Sequence, residues 1–101
     1  MEQSIESFIR YLAVERGLSD NYQLSTQRSL TDFARWCAGA RKIESFKAVT
    51  LAQISEYLAD KKKAGLSAAS IKLIVVALKI FFRFLTSKGE VERDQIGRAH
   101  V

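Results

Sequence analysis

Residues 65–89, GLSAASIKLIVVALKIFFRFLTSKG, read as one long helix that begins at Ser67 or Ala68 and ends at Gly89. Serine at the start and glycine at the end are helix boundary signals, and twenty residues between them exceed any ordinary strand. Phased at about 100° per residue from Ile71, the residues Ile74, Val75, Leu78, Phe81, Phe82 and Leu85 fall within an arc of roughly 120°, the width of a core face. Lys72, Val76, Lys79 and Arg83 collect on one flank, and Leu73, Ala77, Ile80 and Phe84 form a second apolar strip nearly opposite the core. Such a strip needs cover, from a fifth element, from a partner or from the first helix.

The same periodicity runs upstream. Ile5, Phe8, Ile9 and Leu12 predict a first helix over 3–15, with Ser4 as a cap and Gly17 as its stop. Ser19 caps a second helix, on which Tyr22, Thr26, Leu30, Phe33 and Cys37 share a face and which Gly39 is expected to end. Residues 40–50 connect, with Ile43, Phe46 and Val49 as pins. Thr50 and Gln53, three apart, form a capping box for a third helix. Ile54, Tyr57, Leu58 and the stem of Lys61 turn this helix inward, and Gly65 closes it. The expected fold is all-α: an orthogonal bundle of four main helices with room for one short extra helical segment. No repeat or low-complexity tract interrupts it.

Length and composition agree. With 101 residues, 48% of them hydrophobic, the chain can build one modest core. No proline and 5 glycines suit long helices with short joints. The formal charge is +5, and it is uneven: residues 1–50 carry seven Lys/Arg against six Asp/Glu, residues 51–101 nine against five. An excess of cations in the second half favours a polyanionic partner. The start, MEQSIESF, is acidic with no long apolar run behind it, and the runs LIVVAL and IFF are too short for a membrane span, so a cytoplasmic protein with no membrane partner is expected.

Few residues invite catalysis. Cys37 lies within an apolar helical pattern and reads as a small buried hydrophobe. His100, the one histidine, is 63 positions from Cys37 with no carboxylate cluster beside it, which argues against a zinc site and against a held catalytic triad. No glycine-rich loop follows a strand. The chain is therefore expected to have no catalytic residue, no metal and no cofactor, and not to be an enzyme by itself.

The cations carry more. Lys72, Lys79 and Arg83 extend over about 16 Å of helix, enough to meet several phosphates spaced about 7 Å along a strand. A solvated flank is the bland alternative. Lys61, Lys62 and Lys63 point in different directions, and as cations at a helix C-terminus they also have a structural reason to be there. Ser67 and Ser70 cap the fourth helix, whose free N–H groups also suit a phosphate. On the second helix, Gln27 is a candidate to read an adenine edge and Arg28 to hold a phosphate or guanine.

GLSAASIKLIVVALKIFFRFLTSKGEVERD resembles the last helix and exit of the N-terminal, SAM-like core-binding domain of tyrosine recombinases, the phage-integrase and Xer-like family. The matching residues are Gly65, Leu66, Ser67, Ser70, Ile71, Leu78, Lys79, Phe81, Phe82, Arg83, Phe84 and Leu85. FIRYLAVERGLSDNY is similar to the family's opening helix and turn through Phe8, Leu12, Gly17, Leu18 and Ser19. QRSLTDFARWC matches at Arg28, Leu30 and Phe33, and VTLAQISEYLADKKKAG at Thr50, Ile54, Tyr57 and Leu58. The likeness covers about residues 3–94.

The resemblance implies a domain that grips one face of double-stranded DNA while a larger C-terminal catalytic domain of the same full-length protein grips the other. The family's second and fourth helices face the duplex, which gives Gln27, Arg28, Ser67, Ser70, Lys72, Lys79 and Arg83 as the expected DNA-binding residues. Chemistry in that family belongs to the catalytic domain, where a tyrosine attacks the scissile phosphate. None of Tyr11, Tyr22 and Tyr57 is expected to be that nucleophile. Leu73, Ala77, Ile80 and Phe84 are the candidate protein interface, with other recombinase protomers on DNA as the partner. The alternative function is a helical protein–protein interaction module.

Two departures stand out. Leu73 and Ile74 occupy positions where family members often carry basic residues, which shifts the phosphate load to Lys72 and Lys79. The family's usual Asn-Pro exit is replaced near Arg93-Asp94, so the domain is expected to span 1–93, with 94–101 beginning a linker or tail.

Overall fold

A computed structural model describes residues 1–91. The described residues form four helices, α1 (Glu2–Val14), α2 (Asp20–Ala40), α3 (Leu51–Lys63) and α4 (Ala68–Ser87), with a 3-10 turn at Phe46–Ala48 between α2 and α3. The all-α bundle with one short extra helical segment is therefore present, and the described residues contain no strand. The boundary expected near Arg93-Asp94 lies outside the described residues.

Most of the caps are those the sequence announces. Ser19 accepts a hydrogen bond from the Tyr22 amide at 3.2 Å, and Ser67 accepts one from the Ser70 amide at 3.1 Å. At α3 the capping box is complete: Thr50 Oγ1 accepts from the Gln53 amide, and Gln53 Oε1 accepts from the Thr50 amide. α3 and α4 end alike. Gly65 and Gly89 take positive φ, and the next residues, Leu66 and Glu90, donate back to the Lys61 and Leu85 carbonyls. A left-handed residue at that point lets the chain turn back over the last helical carbonyls, and glycine adopts it without strain.

Two boundaries differ from expectation. Ser4 does not cap α1, which begins at Glu2 with Met1 as its cap residue; Ser4 Oγ instead donates to Glu90 Oε1 at 2.9 Å. That bond ties the first turn of the domain to the chain leaving α4. Gly39 does not end α2 either. The helix continues through Ala40, and Lys42 takes the left-handed conformation, φ 54°. The tertiary anchor at Ile43, whose amide donates to the Cys37 carbonyl, outweighs the local breaking tendency of Gly39.

The core is aromatic. Phe8 from α1, Phe33 from α2, Phe46 from the 3-10 turn, Tyr57 from α3, and Phe81 and Phe82 from α4 are all buried. Phe46 meets Phe81 edge-on at 4.9 Å, and Phe33 meets Tyr57 edge-on at 5.0 Å, geometries in which ring edges face ring π-clouds. Ile43, Phe46 and Val49, the expected pins of the connection, are all buried. They carry the loop across the core, so each helix has an apolar surface to rest on.

α2 and α3 are also held by polar contacts at the edge of this core. The buried Tyr57 hydroxyl donates to Asp32 Oδ2 at 2.5 Å, and the Lys61 ammonium reaches the same oxygen at 2.6 Å while lying over the Tyr57 ring. Trp36 Nε1 donates to Asp60, and Arg41 pairs with Glu56 and covers the Trp36 ring. Lys61 thus turns inward through its stem, as its position on the α3 face predicts.

Candidate nucleic-acid interface

α4 buries a wider arc than its strongest apolar row suggests. Ile74, Ala77, Leu78, Phe81, Phe82, Phe84 and Leu85 are all interior. Ala77 and Phe84 belong to the strip that needed cover, and α1 supplies it: Phe84 packs against Phe8 at 5.2 Å and Tyr11 at 5.1 Å. Ile80 is half-buried at the same seam, and only Leu73 is left open, at 70% exposure. The surface available to a protein partner on this strip therefore narrows to Leu73 and the edge of Ile80.

Widening the buried arc toward α1 also reorients the cations. Lys72, Lys79 and Arg83 are exposed, with the partly exposed Val76 among them, and they stand on the side of α4 turned away from the core. None is in an ion pair among the described residues, whereas Arg41 and Lys61 both are. An outward row of unpaired cations on a rigid helix presents positive charge at fixed spacing. At its N-terminal end, Ser67 Oγ accepts from the Ser70 amide and donates to Ser70 Oγ at 3.1 Å.

The α2 candidates separate. Arg28 is exposed and, by helical phase, lies across α2 from the buried Thr26, Leu30 and Phe33, in the same row as Arg35. Gln27 turns toward α1, where it lines a groove with Glu2, Glu6, Thr31, Arg35 and Glu44. Three carboxylates share that groove with Arg35 and Met1, which makes it less favourable to an anion than the α4 row. The structure therefore brings Lys72, Lys79 and Arg83 into one row, with Ser67 and Ser70 at the head of the same helix, and sets Gln27 in a different electrostatic setting.

Arg16 was not singled out from sequence. It follows the last residues of α1, and its side chain borders a hollow with Tyr11, Ile80, Arg83, Phe84 and Ser87. Sequence spacing gives no hint of this, because Arg16 and Arg83 come to border one hollow only once α1 packs across α4.

The reactive groups are accounted for by packing. Cys37 is fully buried and its thiol is pushed up to about 11 by that burial, so it carries negligible thiolate at neutral pH. Burial, and then the neighbouring Asp32 carboxylate, push the Tyr57 hydroxyl far above its usual range. Burial tends to raise Asp32 as well, but hydrogen bonds from Lys61 and Tyr57 and the charges of Lys61 and Arg35 outweigh it and hold the carboxyl below its ordinary value. Among the described residues no three His, Cys, Asp or Glu side chains are grouped as a metal would need, and no helix is long and apolar enough to cross a membrane. His100 lies outside the described residues.

Comparison with known proteins agrees with the all-helical fold. Residues 5–89 match the family model described as the phage integrase N-terminal SAM-like domain. The chain is similar to a tyrosine recombinase XerC of Roseiflexus castenholzii, 33% identical over 98 residues that make up 97% of this chain and 31% of the relative. It is 36% identical over 89 residues to a tyrosine recombinase XerC of Serratia marcescens, covering 88% of this chain and 29% of the relative. Against a tyrosine recombinase XerD of Oceanobacillus iheyensis the identity is 32% over 94 residues, 93% of this chain and 32% of the relative. The chain thus spans about a third of the length of these relatives. No solved structure gave a significant match.

Proposed function

The chain belongs to the phage-integrase N-terminal SAM-like domain family, and from that premise we propose that it binds double-stranded DNA as the N-terminal clamp domain of a site-specific tyrosine recombinase. The observation that carries the reading is the outward row of Lys72, Lys79 and Arg83 on α4, unpaired among the described residues and held by a helix whose opposite side is the aromatic core. Phosphates neutralise such a row and release their counter-ions, a gain that does not depend on base sequence. Arg28 joins the set from α2, and Ser67 and Ser70 place the head of α4 near the backbone. Gln27 stays outside it, because Glu2 and Glu6 line the same groove.

In this reading the strand-exchange chemistry belongs to a catalytic domain of the same full-length protein, and the present domain supplies grip. Other recombinase protomers on DNA are the natural neighbours of Leu73, the one fully open member of its strip. A bacterial recombinase of this kind works in the cytoplasm, where its DNA is.

The test is a titration of duplex DNA into isotope-labelled protein at low salt. Amide shifts are expected around Lys72, Lys79, Arg83 and Arg28, with weak, mainly sequence-independent affinity. Lys79→Glu is expected to weaken binding to every duplex alike, with the helical signal unchanged. Shifts confined to other surfaces, or no shift at millimolar protein, would overturn the proposal.

A further inference from the structure

Where the end of α1 crosses α4, two arginines 67 positions apart in sequence border one hollow of about 230 Å³. Arg16 comes from the residues just after α1 and Arg83 from the outer face of α4. Tyr11, Ile80, Phe84 and Ser87 complete the lining, and no carboxylate takes part. Neither arginine is in an ion pair among the described residues. Two guanidinium groups that share a hollow without a counter-charge repel each other, and an anion between them relieves that repulsion while accepting their forked N–H donors. The floor is apolar, from the half-buried Ile80 and the buried Phe84, so water competes less for those donors than on an open surface. The Ser87 hydroxyl donates at 2.7 Å to the Phe84 carbonyl, so its proton is already used and the arginines carry the recognition.

The hollow does not stand alone. Arg83 is the last member of the Lys72–Lys79–Arg83 row, so Arg16 continues that row off α4 and across the seam onto the end of α1. The neighbouring hollow on the same seam differs in one respect that matters: Arg10 and Lys88 share it with Glu90, whose single carboxylate offsets one of the two charges. Of the two hollows, only the Arg16–Arg83 one has no carboxylate in its lining.

We infer that Arg16 and Arg83 together form a phosphodiester-binding seat that extends the DNA-facing surface from α4 onto α1. The inference rests on the DNA-binding reading above and adds to it a residue and an element. The occupant is a backbone phosphate of a duplex, beyond those met by Lys72 and Lys79. Free inorganic phosphate shares the chemistry but lacks the neighbouring phosphates that would hold it against the rest of the row.

The experiment measures binding of the 101-residue chain to a 20-base-pair duplex by fluorescence anisotropy across a salt series. It compares the wild type with Arg16→Ala, Lys79→Ala and Arg10→Ala, each checked for unchanged helicity by circular dichroism. Arg16→Ala is expected to weaken binding about 2- to 5-fold at low salt and to reduce the slope of log K against log salt by about one, as the loss of one phosphate contact does. Arg10→Ala should match the wild type. Wild-type affinity and slope in Arg16→Ala, with Lys79→Ala weakened, would overturn the seat and leave the DNA reading standing. If Lys79→Ala is also unaffected, or no duplex binds, both fall. In a parallel arm, inorganic phosphate at 10 mM is added to labelled protein at constant ionic strength; Arg16 Nε–H should shift much less than with duplex, and an equal shift would make the site a free-anion site and overturn the duplex assignment.

Discussion

At the scale of single residues, the most consequential contact is the one between Asp32, Tyr57 and Lys61. One carboxylate oxygen accepts from a buried phenol and meets an ammonium, which joins α2 to α3 at the rim of the core. Removing the phenol hydroxyl by Tyr57→Phe keeps the ring packing but deletes a charge-assisted bond, so a loss of about 1 to 2 kcal/mol is expected from the urea midpoint. The contact also sets a pH dependence. Asp32 is held below its ordinary value of 3.8 in the folded state, so it binds its proton more readily once the chain unfolds. Its contribution to stability is therefore present above that ordinary value and is lost as pH falls below it toward the lower folded value. Its side chain is about half exposed, which keeps the effect small. Thermal melts from pH 6 down to pH 2 should show a shallower acid loss for Asp32→Asn than for the wild type, and parallel curves would remove Asp32 from the account. Little of this is legible in the sequence. Periodicity places Tyr57 and the stem of Lys61 inward, but Asp32 lies 25 positions before Tyr57, and nothing local links the two. Arg16 escapes for the same reason, since Arg83, which borders the same hollow, is 67 positions away.

At the scale of elements, α4 shows why phase reads well and cover reads poorly. Its core face follows from spacing alone, because Ile74, Val75, Leu78, Phe81, Phe82 and Leu85 recur on one side of a 3.6-residue helix, and all but the half-buried Val75 are buried. Which of the remaining apolar residues is covered depends on where α1 crosses, a fact of tertiary packing that α4 does not encode. The crossing covers Phe84, Ala77 is buried as well, and Leu73 is left out. Boundaries divide in the same way. Ser19, Thr50 with Gln53, and Ser67 act within one turn of themselves and are readable, while Gly39 is overridden by the anchoring of Ile43. Two substitutions on α4 should therefore behave in opposite ways. Phe81→Ala removes a ring that meets Phe8, Phe46 and Phe82, and is expected to cost about 3 to 5 kcal/mol. Leu73→Glu touches an exposed site and should leave the melting temperature within a few degrees of wild type. A large loss for Leu73→Glu, with little for Phe81→Ala, would mean that α4 is turned about its axis, with Leu73 inside and Phe81 outside.

At the scale of the whole molecule, charge and fold divide the work. Helices, caps and aromatic core are satisfied internally, and Lys72, Lys79 and Arg83 make no ion pair among the described residues, which leaves them available to the external anion proposed above. The +5 charge favours such a partner, and the family relationship narrows it to a recombinase context, but neither says which side of the bundle presents the charge. That depends on α1, which covers one side of α4 and so turns Lys72, Lys79 and Arg83 outward. On the proposed reading, phosphate contacts from Arg28, Lys72, Lys79 and Arg83, before the further one assigned to Arg16, give a slope of about −3.6 or steeper in log K against log salt. Between 50 and 200 mM salt the affinity for a duplex should then fall on the order of 100-fold, whereas the folded state, held by apolar packing, should melt at nearly the same temperature throughout. A duplex affinity that changes less than about threefold over that range would show that phosphate contacts are not the source of binding, and the row on α4 would need another purpose.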